Sequence, residues 1–118
     1  MDTKKFHVLS FKFAFEGLVA ALREEPNLKF HFLAGLLVII TAFLLKVSRG
    51  DWIILIFLIG FVICVELTNT AVEAVVDHVI QTNHPGAKLA KDISAAAVLV
   101  SAVTSVVIGL WIIFPYFT

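Results

Sequence analysis

Three long apolar runs separated by short polar clusters lay out this chain. They cover about residues 28–46, 52–76 and 92–114. A helix needs about 20 apolar residues to cross the hydrocarbon of a bilayer, so each run is predicted to be a transmembrane helix. Residues 4–23 follow another pattern. Lys5, Lys12, Glu16 and Arg23 fall on one stripe about 40° wide at helical periodicity, and most other positions are Phe, Leu, Val or Ala. That predicts an amphipathic helix lying in the membrane interface, with its charges toward water. Glu24-Glu25-Pro26-Asn27 breaks it, because proline lacks the helical N–H and restricts the residue before it. Ser48-Arg49-Gly50-Asp51 reads as a tight turn, and residues 78–90 as the one sizeable polar loop, with turn chemistry at Asn83-His84-Pro85-Gly86. The expected fold is all-α and integral to the membrane, a single domain over residues 1–118.

The second run is the informative one. Residues 52–65 carry no charge but are too few to cross the bilayer, so the helix must continue through Val65-Glu66-Leu67-Thr68-Asn69-Thr70-Ala71-Val72-Glu73-Ala74-Val75-Val76-Asp77. At about 100° per residue, Glu66, Asn69, Glu73 and Asp77 share one stripe about 80° wide. A carboxylate at the centre of a membrane helix costs roughly 2.5–3.5 kcal/mol on insertion scales, which makes an intramembrane acid a candidate functional group. At 1.5 Å per residue Glu66 lies about 21 Å from Trp52, inside the far leaflet. Glu73 and Asp77 lie near or beyond that surface. A polar seam that only assembles an oligomer is the structural alternative. Repeated carboxylates favour a cation or a proton instead.

Composition narrows the class. The chain has 118 residues, 60% of them hydrophobic, a formal net charge of +0 and a mean hydropathy of +1.01. That excludes an ordinary soluble domain. The N-terminus shows no signal-peptide pattern. Cys64 is the single cysteine, so no intrachain disulfide forms, and it reads as a small buried hydrophobe. Lys4, Lys5, Lys12, Arg23 and Lys29, with Lys88 and Lys91, outnumber Lys46 and Arg49 on the opposite side. The positive-inside rule then puts the N-terminus and the 78–92 loop in the cytoplasm and the C-terminus outside. The acidic stripe opens toward the compartment that holds ATP.

The stretch Glu66-Leu67-Thr68-Asn69-Thr70-Ala71-Val72-Glu73-Ala74-Val75-Val76-Asp77 closely resembles the signature of the prokaryotic diacylglycerol kinase family. Ala90-Lys91-Asp92, followed by Ser94-Ala95-Ala96-Ala97-Val98-Leu99, resembles the second motif of that family. Phe15-Glu16-Gly17-Leu18 and Glu25 are similar to its interfacial helix and the end of that helix. Within the family, residues 25–35 look more like the undecaprenol kinase branch than the enterobacterial diacylglycerol kinases. The resemblance implies a homotrimeric helical bundle in the bacterial inner membrane, with three transmembrane helices and a surface helix per chain. It implies active sites between subunits at the cytoplasmic face, which transfer the γ-phosphate of ATP, with Mg²⁺, to a lipid hydroxyl. Undecaprenol is the first expected acceptor and diacylglycerol the second; no nucleic-acid partner is expected.

Residue by residue, the resemblance implies Glu66 as the general base and Glu25 and Glu73 as the metal-binding acids. Asn69, Asp77, Lys91 and Asp92, with Glu25 and Glu73, would contact ATP, and Thr82, Asn83 and His84 match a nucleotide-contacting loop. Glu66 and Asn69 would meet the lipid. The physical readings agree in part. Glu66 is the deepest acid, at the level of a lipid alcohol, where desolvation makes a carboxylate a stronger base. Mg²⁺ commonly takes one or two carboxylates plus phosphate oxygens and water. Lys91 supplies a point charge for phosphate. Spacing alone leaves Glu24 open beside Glu25, and leaves helix capping open for Asp92. No Gly-rich phosphate loop is present, and the four histidines show no metal-ligand spacing. A small ion- or proton-conducting oligomer remains the reading from another class.

Overall fold

The computed structural model describes residues 3–118, with side chains from Ser10 onward. Lys4 and Lys5, counted above among the interfacial and cytoplasmic charges, lie outside the described side chains. Among the described residues every regular element is helical: α1 (Thr3–Glu24), α2 (Pro26–Leu45), α3 (Arg49–Val79), α4 (Pro85–Ile113) and a closing 3₁₀ turn (Phe114–Phe117). The helices α2, α3 and α4 are each long and apolar enough to cross a membrane.

Each junction has a local cause. Glu25 stands in extended conformation before Pro26, which occupies the first turn of α2 where a missing N–H costs nothing. At the other end of α2, Lys46 adopts a left-handed conformation with φ 53°. Its N–H bonds Phe43 O and that of Val47 bonds Ala42 O, the paired bonds of a Schellman cap. Buried Val47 packs against buried Ala42, the apolar contact that accompanies such caps. Ser48 then caps α3, its Oγ accepting the Asp51 N–H at 3.2 Å. The turn is therefore tighter than residues 48–51, and α3 begins at Arg49.

The polar loop is also shorter than the pattern suggests. Only Ile80–His84 lies outside helix. His84 Nδ1 accepts the Gly86 N–H at 3.0 Å, and Pro85 fills the first turn of α4. Lys88 and Lys91, read as part of that loop and its flank, belong to the first two turns of α4.

The helix α3 is central, packing against α2 on one side and α4 on the other. Its 31 residues make a rod of about 46 Å, longer than the roughly 30 Å of hydrocarbon that a membrane span crosses. The buried stripe of α2 runs Leu28, Gly35, Ala42, one residue every two turns. At Gly35 the helices α2 and α3 approach closely: a Cβ there would stand 2.9 Å from Ile59 Cγ2. At the far end, Ala42, Val47 and Leu55 form a small core with Trp52, Ile112, Ile113 and Tyr116 around it. The Tyr116 hydroxyl accepts the Ser48 N–H at 3.0 Å and donates to Asp51, tying the end of α4 to the α2–α3 turn.

The outward faces are apolar. Ile53, Phe57, Phe61, Val103, Val107 and Trp111 are all exposed. Contrary to its reading as a buried group, Cys64 is exposed as well, on a side of α3 that neither α2 nor α4 covers. Among the described side chains of α1, Phe11, Phe13 and Phe15 are exposed, and only Leu18, Val19, Ala21 and Leu22 near its end are covered to any extent. Such surface suits contact with lipid or with other protein.

Candidate active site at the polar end of the bundle

Burial falls steadily along the acidic stripe of α3. Glu66 is 2% exposed and Asn69 9%, Glu73 is half-buried, and Asp77 is exposed. The stripe turns inward at its deep end and reaches open surface at the other. Thr70 and Thr68 return their hydroxyls to the backbone, bonding Glu66 O at 3.0 Å and Cys64 O at 2.9 Å. These satisfy their own polarity and leave the stripe to the carboxylates.

Around Glu66 the structure gathers three groups. Glu25, His31 and Glu73 are all within electrostatic reach of its carboxylate. Glu25 comes from the start of α2, where its side chain makes no capping bond. Glu24 is exposed, which separates the two neighbouring acids. His31 Nε2 lies 3.7 Å from Glu66 Oε2. Asn69 does not bond Glu66: Glu66 Oε2 and Asn69 Oδ1 are both buried without a hydrogen-bond partner.

Nearer the surface, Lys91 Nζ meets Asp77 Oδ1 at 2.9 Å across the Ile80–His84 connection. Glu73 and Asp92 also lie within reach of the Lys91 charge, so Glu73 belongs to both groups. Asp92 is not a cap: it sits inside α4 and pairs with Lys88 at 2.6 Å. Thr82 and Asn83 lie exposed in the connection, and the His84 ring is engaged in starting α4.

A largely apolar groove of about 350 Å³ leads away from this cluster between α2, α3 and α4. Phe30 and His31 stand at one end, Leu110 and Ile113 at the other, with Gly35, Leu58, Val62 and Ser105 along it.

Three carboxylates, Glu25, Glu66 and Glu73, thus share a partly desolvated site with one imidazole. Such a cluster favours a cation. Among the described residues no three His, Cys, Asp or Glu side chains converge tightly enough to hold a metal unaided.

A model of the family described as prokaryotic diacylglycerol kinase matches residues 12–113. The chain belongs to that family. Both polar groups of the site, from Glu25 to Asp92, lie within the matched segment. The chain is 44% identical over 106 residues to a protein of Bacillus subtilis named undecaprenol kinase, covering 90% of this chain and 86% of that one. It is 36% identical over 109 residues to a diacylglycerol kinase of Synechocystis, covering 92% of this chain but 62% of that longer protein. It is 31% identical over 105 residues to the diacylglycerol kinase of Escherichia coli K12, covering 89% and 86%.

The sequence reading missed His31. Its signal was present: it stands between Leu28 and Gly35, on the face of α2 that the buried positions define.

Proposed function

We propose that this chain is a lipid kinase that transfers the γ-phosphate of ATP to the hydroxyl of a membrane lipid, with undecaprenol as acceptor. The observation that carries the reading is Glu66, a buried carboxylate beside two further acids and 3.7 Å from His31, which lines one end of an apolar groove. The groove suits an alkyl or prenyl chain and leaves its hydroxyl end at Glu66. Undecaprenol is favoured over diacylglycerol by the identity to the undecaprenol kinase of B. subtilis. Diacylglycerol is the second reading, favoured by the several relatives that carry that name.

In this mechanism Glu66 takes the proton of the lipid hydroxyl as the oxygen attacks the γ-phosphorus. The bond from that phosphorus to the β-phosphate oxygen breaks, and ADP leaves with the electron pair. Glu25 and Glu73 hold Mg²⁺, which when bound neutralises phosphate charge. Asn69 orients the reacting groups. Asp77, Lys91 and Asp92 serve the nucleotide, with Thr82, Asn83 and His84 at its outer edge. Because the transition state of phosphoryl transfer is loose, orienting the hydroxyl matters as much as removing its proton.

The polar end of the bundle faces the cytoplasm of a bacterial cell, with the C-terminus outside and α1 lying on the membrane surface. Three copies assemble so that their apolar faces and the small residues of α4 pack together.

Purified protein given labelled ATP, Mg²⁺ and either undecaprenol or diacylglycerol tests the reading, with Glu66→Gln as blank. Faster transfer to undecaprenol is the expected result. Preference for diacylglycerol keeps the mechanism and changes the acceptor. No transfer to either by folded protein overturns the proposal and returns the stripe to the ion-conducting reading.

A further inference from the structure

His31 is the polar member of an otherwise apolar stripe on α2. Its side chain is 17% exposed and that of Glu66 2%. The two are aimed at each other by helix geometry. The helices α2 and α3 run antiparallel and touch at Gly35 and Ile59. From that contact His31 is four residues back along α2 and Glu66 seven residues on along α3. Helical side chains lean toward the N-terminus of their own helix. His31 therefore leans toward the polar end and Glu66 away from it, and the leans close the difference in height. Nε2 comes to 3.7 Å from Oε2, an oxygen buried without any hydrogen-bond partner.

We propose that His31 is a positioning residue for the reaction: its Nε2–H tethers Glu66 Oε2 and leaves Oε1 aimed at the lipid hydroxyl. This rests on the reading of Glu66 as base. A shift of about 0.7 Å brings the pair to ordinary hydrogen-bond length. The titratable groups that face Glu66 are His31 and Glu25 from α2 and Glu73 from its own helix. His31 alone among them carries a donor. The tethered carboxylate takes the hydroxyl proton on Oε1, while the new lipid O–P bond forms and the bond to the β-phosphate breaks. Without the tether, Glu66 turns freely between repulsive neighbours and meets the hydroxyl in fewer orientations.

The test compares His31→Leu, His31→Gln, His31→Asn and Glu66→Gln in the full-length protein, with Mg-ATP and the better of the two lipids. His31→Leu lowers kcat by about 10- to 100-fold, the size of effect that misplacing a reacting group produces, and leaves KM for ATP unchanged. His31→Gln, which presents an N–H at similar reach, recovers most of the lost rate. A His31→Leu enzyme at wild-type kcat overturns the proposal, as does equal slowness of the Leu and Gln variants, or a raised KM for ATP with kcat unchanged. Should His31→Leu not assemble, His31→Asn replaces it: its amide is too short to reach Glu66, and equal rates for Asn and Gln overturn the proposal. Near-normal turnover by Glu66→Gln overturns the base reading itself. An inactive Glu66→Gln beside a fully active His31→Leu overturns only the tether.

Discussion

The contact of Gly35 with Ile59 sets how far α2, carrying Glu25 and His31, stands from Glu66. Replacing Gly35 with Ala tests this. The added Cβ would lie 2.9 Å from Ile59 Cγ2, 3.7 Å from Cγ1 and 3.9 Å from Cβ. Carbon atoms are comfortable at about 3.5–4.0 Å, so about 0.6–1.1 Å must be absorbed. Ile59 cannot swing aside cheaply, because a β-branched side chain in a helix has essentially one χ1 well, and leaving it by 30° costs about 0.5–1.5 kcal/mol. Overpacking of this kind typically costs about 1–3 kcal/mol. Alanine is better than glycine in a helix by about 0.8–1.0 kcal/mol, which offsets part of that. Gly35→Ala should thus lose no more than about 2 kcal/mol of stability. Turnover should suffer more, because displacing positioned groups by about 1 Å can cost on the order of 100-fold. The assay pairs thermal unfolding in detergent with kcat for lipid phosphorylation. We expect a Tm lower by no more than about 10 °C and a kcat at least about 10-fold lower. Ile59→Ala removes the obstructing Cγ2, so Gly35→Ala/Ile59→Ala should be faster than Gly35→Ala alone. Full activity in Gly35→Ala, or no recovery in the double variant, would refute the view that this contact positions the site.

Three further predictions concern other parts of the molecule. Glu73→Gln removes a carboxylate shared by both polar groups and should weaken Mg-ATP binding by about 10- to 100-fold; unchanged nucleotide affinity in a direct binding titration would remove it from the metal site. Lys91→Ala breaks a largely exposed, solvent-screened pair with Asp77, so the Tm should barely move, while KM for ATP rises; an unaltered KM would argue for a merely structural pair. Tyr116→Phe deletes the hydroxyl that joins Ser48 and Asp51 and should cost about 1–3 kcal/mol, seen as a lower Tm. Its kcat should not move, because the latch lies at the opposite end of the bundle from Glu66.

Much of this architecture is legible in the residues. Three apolar runs give three helices, Pro26 forces the break after Glu25, and the spacing of Glu66, Asn69, Glu73 and Asp77 puts them on one face of α3. Residues 78–90 misled because polarity was read as loop. Lys88 and Lys91 stand in the first two turns of a helix, and Pro85 marked a start, not a stop. The Asp77–Lys91 pair follows from that earlier start: it depends on how a five-residue connection sets two helix ends, which no periodicity encodes. The same holds for His31. Its face on α2 could be read from the spacing of Leu28 and Gly35, but its partner depends on the depth at which two antiparallel helices touch. Cys64 was misjudged because an apolar run in a membrane has an exterior that is as apolar as its interior.

The uninterrupted length of α3 has a consequence for how such a protein responds to its surroundings. One unbroken helix carries both Trp52 and Glu66, the carboxylate proposed as the base, with no hinge between them. The depth of Glu66 is then a ruler distance from the opposite face of the membrane, fixed by helical rise and adjustable only by tilt. A thicker bilayer raises the plane of lipid head groups relative to that carboxylate, and a thinner one lowers it. The thickness of the membrane thereby becomes a variable of the reaction, read through a single helix.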